Sequence, residues 1–166
     1  MARPFQETPG AGAREAGMRL TAFTDYSLRV LIFLAAEPDR RATVGEIGAA
    51  FGVKLNHLAK VVHHLGRCGW VATARGKGGG LTLARPAAQI RIGDVVRDTE
   101  GQALPAECFA AEGGQCALDG HCRLQGVLAE AVAAFQAVLD GYTLADITTR
   151  RQVLARVLRL PAEAGG

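Results

Sequence analysis

From Thr21 onward apolar residues recur at helical spacing. Tyr26, Val30, Phe33 and Leu34 form one stripe, with Leu28, Leu31 and Ile32 beside it, until Pro38 stops the run. Thr43 and Glu46 then make a Thr-x-x-Glu capping box, which predicts a second, short helix through Ile47 and Phe51, broken at Gly52. A third helix is expected from about Leu55 to Cys68. It buries Leu58, Val61, Val62 and Leu65, and Gly69 caps its end. Beyond it, Trp70–Ala74 and Leu81–Ala84 are short extended runs around Arg75-Gly-Lys-Gly-Gly-Gly80, which reads as a two-stranded hairpin with a cationic, glycine-rich tip. Two helices across a glycine turn, followed by such a hairpin, are the pattern of a winged helix-turn-helix.

Ile90, Ile92, Val95 and Val96 predict a further short helix, whereas Gly101–Gly120 has poor periodicity and reads as a loop. From Cys122 the pattern is again strongly helical: Leu124, Val127, Leu128, Ala131, Val132, Phe135, Val138 and Leu139. That apolar stripe runs about 25 Å at a 1.5 Å rise per residue, more than one small domain needs to cover. Pairing with a second copy of the chain is the first expectation, and packing within one chain is the alternative. Leu144–Leu160 is amphipathic and basic, and is expected to fold back on the long helix. The fold class is therefore mainly α with a small β-hairpin wing, a winged helix-turn-helix plus a long C-terminal dimerisation helix. The divisions are an N-terminal arm at 1–17, without periodicity and with Met18 as an alternative start, a DNA-binding domain at 18–100, a loop at 101–121, and the dimerisation and C-terminal helices at 122–160.

The charge pattern sharpens this reading. In a chain of 166 residues with net charge +3, the stretch from Lys54 to Arg85 holds six Lys/Arg, no Asp or Glu, and three of the four histidines. An acidic block follows, with Asp94, Asp98, Glu100, Glu107, Glu112 and Asp119. A basic block over a helix-turn-helix points to nucleic acid. On the third helix Asn56 suits adenine, Lys60 suits guanine or phosphate, and His57 suits either or a solvated surface. Lys54 adds a cation at the helix start. At the wing, Arg75 and Lys77 suit phosphates or a minor groove. The glycine run is not a phosphate loop: no Ser or Thr follows Lys77, and Val71 stands where the first glycine belongs. No apolar window is long enough to span a bilayer and no signal-peptide core appears, so a reducing cytoplasm is expected.

In such a compartment clustered cysteines are ligands or redox groups more often than disulfides. Cys108, Cys116 and Cys122 lie within 15 residues at gaps of seven and five. Zinc ribbons use shorter gaps, and the wider ones suit an iron–sulfur cluster; zinc and a thiol–disulfide switch stay open as alternatives. Three thiolates leave a fourth ligand to be found, and His121 is the local candidate. Cys68, alone among apolar neighbours, reads as a small core residue. Nothing in the chain suggests an enzyme, since neither a substrate pocket nor further ligand pairs can be read from it.

At these residues the chain resembles a known family. Leu20-Thr-Ala-Phe-Thr-Asp25-Tyr26-Ser-Leu-Arg29-Val-Leu, the Arg75–Leu81 wing and the three-cysteine loop ending Cys122-Arg-Leu are similar to the Rrf2 family of bacterial iron–sulfur transcription factors. The likeness covers Met18 to about Ile147. Phe23-Thr-Asp25-Tyr26 and Tyr142-Thr-Leu-Ala-Asp-Ile147 bring it nearest to the nitric-oxide-sensing repressors of that family. The resemblance implies a homodimer on promoter DNA and a cluster on Cys108, Cys116 and Cys122. It also implies a fourth ligand from the partner's first helix at the position of Asp25, which by its place beside Thr21 and Thr24 also reads as a helix cap. Three thiolates and one oxygen favour a 4Fe–4S cube, with 2Fe–2S as the alternative. Two departures stand out. Lys54 replaces the family's small hydroxyl residue, and the seven-residue gap before Cys116 matches an iron-responsive branch of the family. Gln125 stands where a third branch carries a histidine ligand.

Overall fold

The computed structural model describes residues 20–76, 78–101 and 122–159. Its first helix, α1 (Ala22–Ala36), is the central strut of the molecule. Thr21 caps it by accepting from the Thr24 N–H at 3.2 Å, and its own N–H donates to Glu100 at 2.8 Å. Val30, Leu31 and Leu34 are buried on its inner face. The helix α2 (Val44–Phe51) opens on the capping box read from the sequence: Glu46 N–H donates to Thr43 Oγ1, and Thr43 N–H to Glu46 Oε2 at 2.6 Å. It ends at Gly52, whose φ of +63° only glycine adopts without strain.

The helix α3 (Leu55–Arg67) packs against α1 and α2 through Leu58, Val61, Val62 and Leu65. A Schellman motif closes it: Gly69 at φ +72° donates to Gly66, and Trp70 donates to Leu65 at 2.9 Å. The chain thereby turns sharply into β1 (Val71–Ala74), which pairs antiparallel with β2 (Gly80–Leu83) in the register Val71↔Leu83 to Ala74↔Gly80. A one-residue edge at Ala42 adds to β2 by reciprocal bonds with Leu81. It is too short for any periodicity to announce it.

After a 3-10 turn at Ala87–Gln89, α4 (Ile92–Glu100) lies across α1, with Ile92, Val95 and Val96 in the core. The helix α5 (Arg123–Asp140), about 27 Å long, then packs on α4, yet none of its residues is fully buried. Its end returns to the core. Ile92 N–H donates to Tyr142, Leu144 N–H donates to Ile90 at 2.8 Å, and Leu144 is completely buried.

One expectation is corrected at the C-terminal segment. It does not form one helix folded back on α5. It breaks into α6 (Leu144–Ile147) and α7 (Arg151–Arg159), and α7 packs chiefly on α1 and α2. At the break Thr148 is buried, its hydroxyl donating to the Leu144 carbonyl at 2.7 Å, and beyond it Leu158 packs against the core. Among the described residues no helix is long and apolar enough to cross a membrane.

Candidate nucleic-acid interface and cluster ligands

Helix α3 presents a polar face opposite its buried stripe. Lys54 sits at its N-cap in extended conformation without a side-chain cap bond, and its carbonyl accepts from the His57 and Leu58 N–H groups, at an end where the helix dipole favours an anion. Asn56 and Lys60 are exposed on the outward face. At 100° per residue, His63 and Arg67 share that face, and both are exposed. These two were missed in the sequence. The signal was there, in the spacing of four, seven and eleven residues from Asn56.

His57 is exposed too but turned aside. Its ring stacks on Tyr26 of α1, centroids 6.2 Å apart and planes inclined by 24°. His64 is turned the same way, edge-on to Phe23 at 5.2 Å, with Nε2 3.1 Å from the Asp98 carbonyl oxygen and 3.6 Å from Cys68 Sγ. Asp98 in turn accepts from Trp70 Nε1 at 2.8 Å. Burial, followed by the Asp98 charge, pushes the Cys68 thiol up, against a smaller opposing effect of Arg67. Cys68 is thus a poor nucleophile, in keeping with its reading as a packing residue.

At the wing Arg75 is exposed, while Lys77 lies outside the described residues. Gly76 and Gly78 take φ of +91° and +82°, and a Cβ on Gly79 would come within 2.4 Å of the Ala74 carbonyl oxygen. This tip needs its glycines. Arg41, also missed in the sequence, donates to the Gly78 carbonyl at 3.0 Å and brings a further cation to the wing. No local pattern marks it, because its place follows from the Ala42 edge.

Of the expected ligands, Cys108 and Cys116, together with His121, lie outside the described residues. Cys122 is a free, half-buried thiol at the N-cap of α5, where its side chain makes no cap bond. Asp25 stands in the first turn of α1, 44% exposed, with Oδ2 2.8 Å from Arg29 Nη2. The cap of α1 is Thr21, so the carboxylate of Asp25 is not consumed in capping. The guanidinium of Arg29 lies 5.7 Å from the centre of the Phe51 ring on α2. A free thiol and a reachable carboxylate fit soft and hard ligands of iron. Within one subunit, no three His, Cys, Asp or Glu side chains among the described residues converge on one point as an ion would require.

Comparison with known proteins extends these observations. Residues 20–150 match the Rrf2 family model, described as an iron-dependent transcriptional regulator. The HTH-type transcriptional regulator NsrR of Geobacillus kaustophilus is 46% identical over 143 residues, covering 86% of this chain and 97% of the relative. Its namesake in Bacillus subtilis is 44% identical over 144 residues, covering 86% and 99%. Among solved structures, the global cysteine regulator CymR of B. subtilis superposes with a TM-score of 0.67 at 24% identity, over 80% of this chain and 98% of that one. IscR of T. potens superposes with a TM-score of 0.64 at 24% identity, over 81% and 88%. Both share the fold.

Proposed function

The chain belongs to the Rrf2 family, and from that premise we propose that it is a homodimeric DNA-binding transcriptional repressor that senses nitric oxide through an iron–sulfur cluster. The observation that carries this reading is the near-full-length likeness to regulators named NsrR. It acts in the cytoplasm, where bacterial promoters lie, and no part of it does enzyme chemistry.

Each subunit places the Asn56–Lys60–His63–Arg67 face of α3 in a major groove, with Lys54 at the helix start and His57 at its flank, and sets Arg75, Lys77 and Arg41 of the wing against phosphates. Leu124, Val127 and Val138, each 61% exposed, supply the apolar face on which two α5 helices meet. Cys108, Cys116 and Cys122 hold the cluster, with Asp25 of the partner subunit as fourth ligand. A 4Fe–4S cube is the favoured cluster, and 2Fe–2S, which also takes four protein ligands, is the alternative. When bound, the cluster supplies iron that nitric oxide can attack, most readily where a hard oxygen rather than a soft thiolate holds it. An Asp25 carboxylate not engaged by the cluster would pair with Arg29, whose guanidinium lies on Phe51 of α2. Arg29 would in this way link Asp25 to the helix-turn-helix. Loss of that ligand would loosen the contact between subunits, and the spacing of the two winged helices would no longer match a two-fold operator.

The test is anaerobic purification, with iron, sulfide and zinc assayed and the visible spectrum followed while nitric oxide is added. The expected result is a brown protein altered by a few equivalents of nitric oxide, with parallel loss of DNA binding. The seven-residue gap before Cys116 favours one second reading, a regulator of the same family that answers to iron supply. Its mark is DNA binding that ignores nitric oxide and follows iron chelation. Stoichiometric zinc in a colourless protein, or a metal-free disulfide switch, overturns the cluster in either reading.

A further inference from the structure

Among the described residues, a densely bonded joint ties the exposed helix α5 to the winged-helix body. At its C-terminal end Arg97 of α4 reaches across: Nη1 donates to Gln136 Oε1 at 3.0 Å and to Asp140 Oδ2 at 3.1 Å, while Nη2 lies 2.8 Å from Asp140 Oδ1. Asp94, one turn back on α4, holds the same guanidinium from its own helix at 2.5 Å. Gly93 makes room for this joint, since a Cβ there would stand 1.9 Å from Asp140 Oδ1 and 3.1 Å from the Asp140 backbone nitrogen. Oδ1 is shut off from solvent with no hydrogen-bond donor in line, so the carboxylate is held there by the charge of Arg97. The planar, pre-organised fork of an arginine, with five N–H donors, suits three partners on two helices.

Leverage gives the joint its importance. From Asp140 to Arg123 is about 27 Å, so a rotation of about 5° at this end displaces the other by about 2 Å. We propose that Arg97 is a positioning residue which sets the angle between the long helix and the winged helix, and so the separation of the two winged helices in a dimer. This rests on the dimeric DNA-binding reading above. Arg97 touches no DNA in this scheme, and acts through Gln136 and Asp140.

The experiment uses full-length protein purified anaerobically and a duplex that the wild type selects from random-sequence DNA. The duplex is then remade with base pairs added or removed between its half-sites, and as a single half-site. Arg97→Gln is expected to lose at least tenfold in affinity at the optimal spacing, to flatten the spacing profile, and to keep single half-site affinity unchanged. Asp140→Asn, nearly isosteric, is expected to do the same more mildly, and serves if Arg97→Gln fails to fold. A variant that kept the steep profile of the wild type would overturn the proposal. So would an equal loss on half-site and full site, which would make Arg97 a support of the winged helix alone. Wild-type protein that selected no two-fold duplex would instead remove the dimeric DNA-binding reading, and this inference with it.

Discussion

Asp25 and Arg29 form an ion pair one turn apart on α1, Oδ2 to Nη2 at 2.8 Å, with side chains 44% and 40% exposed. A solvated pair of this kind contributes only about 0.3–0.5 kcal/mol. It is weak enough for the carboxylate to be taken by a stronger partner, as the proposed ligand role requires.

Asp25→Ala should therefore leave the metal-free protein almost as stable as the wild type, within about 0.5 kcal/mol, while the cluster is lost faster. Thermal unfolding of the apoprotein and decay of the visible absorbance under anaerobic chelation measure the two effects. Unchanged decay would remove Asp25 from the ligand set.

The wing and the outward face of α3 should separate by salt and by sequence. Arg75→Ala and Lys77→Ala are expected to weaken all duplexes and to lower the slope of log affinity against log salt by roughly one each. Asn56→Ala and Arg67→Ala should cost about 1–3 kcal/mol on the preferred duplex and much less on others. Titrations at several salt concentrations on specific and scrambled duplexes tell these apart, and an unchanged slope in both wing variants would disprove the wing contact.

Val127→Asp puts a charge in the exposed stripe of α5. In the proposed dimer this buries an unpaired carboxylate, so sedimentation should show dissociation to monomers, with the helix content of the monomer retained. An unaltered dimer would move the interface elsewhere.

The capping box of α2 has a pH signature. Its Glu46 carboxyl lies below its ordinary value of 4.5, first because the Thr43 N–H donates to it and next because Arg40 does. A depressed carboxyl stabilises the folded state above its ordinary value and loses that contribution as the pH falls through the folded value. Wild-type protein should thus be more stable than Glu46→Gln near neutrality, with the gap closing below pH ~4.5. Emission from the single tryptophan, Trp70, 6% exposed, reports unfolding. A gap independent of pH would show that the charge of Glu46 adds nothing.

How far the sequence reached is clear from particular residues. Thr43 and Glu46 announced their capping box and Gly69 its helix end, because each is a bond between residues a few positions apart. The periodic runs announced α1, α3 and α5 within a residue or two for the same reason. Ala42 pairing with Leu81 could not be read, since its partner lies about forty residues away and one residue has no period.

Local bonding and periodicity, then, made this chain a winged helix with a long apolar helix and a basic face, and those are properties of neighbouring residues. Spacing along α3 already sets Asn56, Lys60, His63 and Arg67 on one face; the packing of distant segments decided which partners the side chains at its edge take. Tyr26 and Phe23 on α1 draw His57 and His64 aside and leave His63 beside Lys60. The same non-local packing sent α7 to α1 and α2, and brought Arg97 to Asp140 across 43 residues of chain. A side chain's partner is chosen by whatever the fold sets beside it, and spacing along one helix does not carry that information.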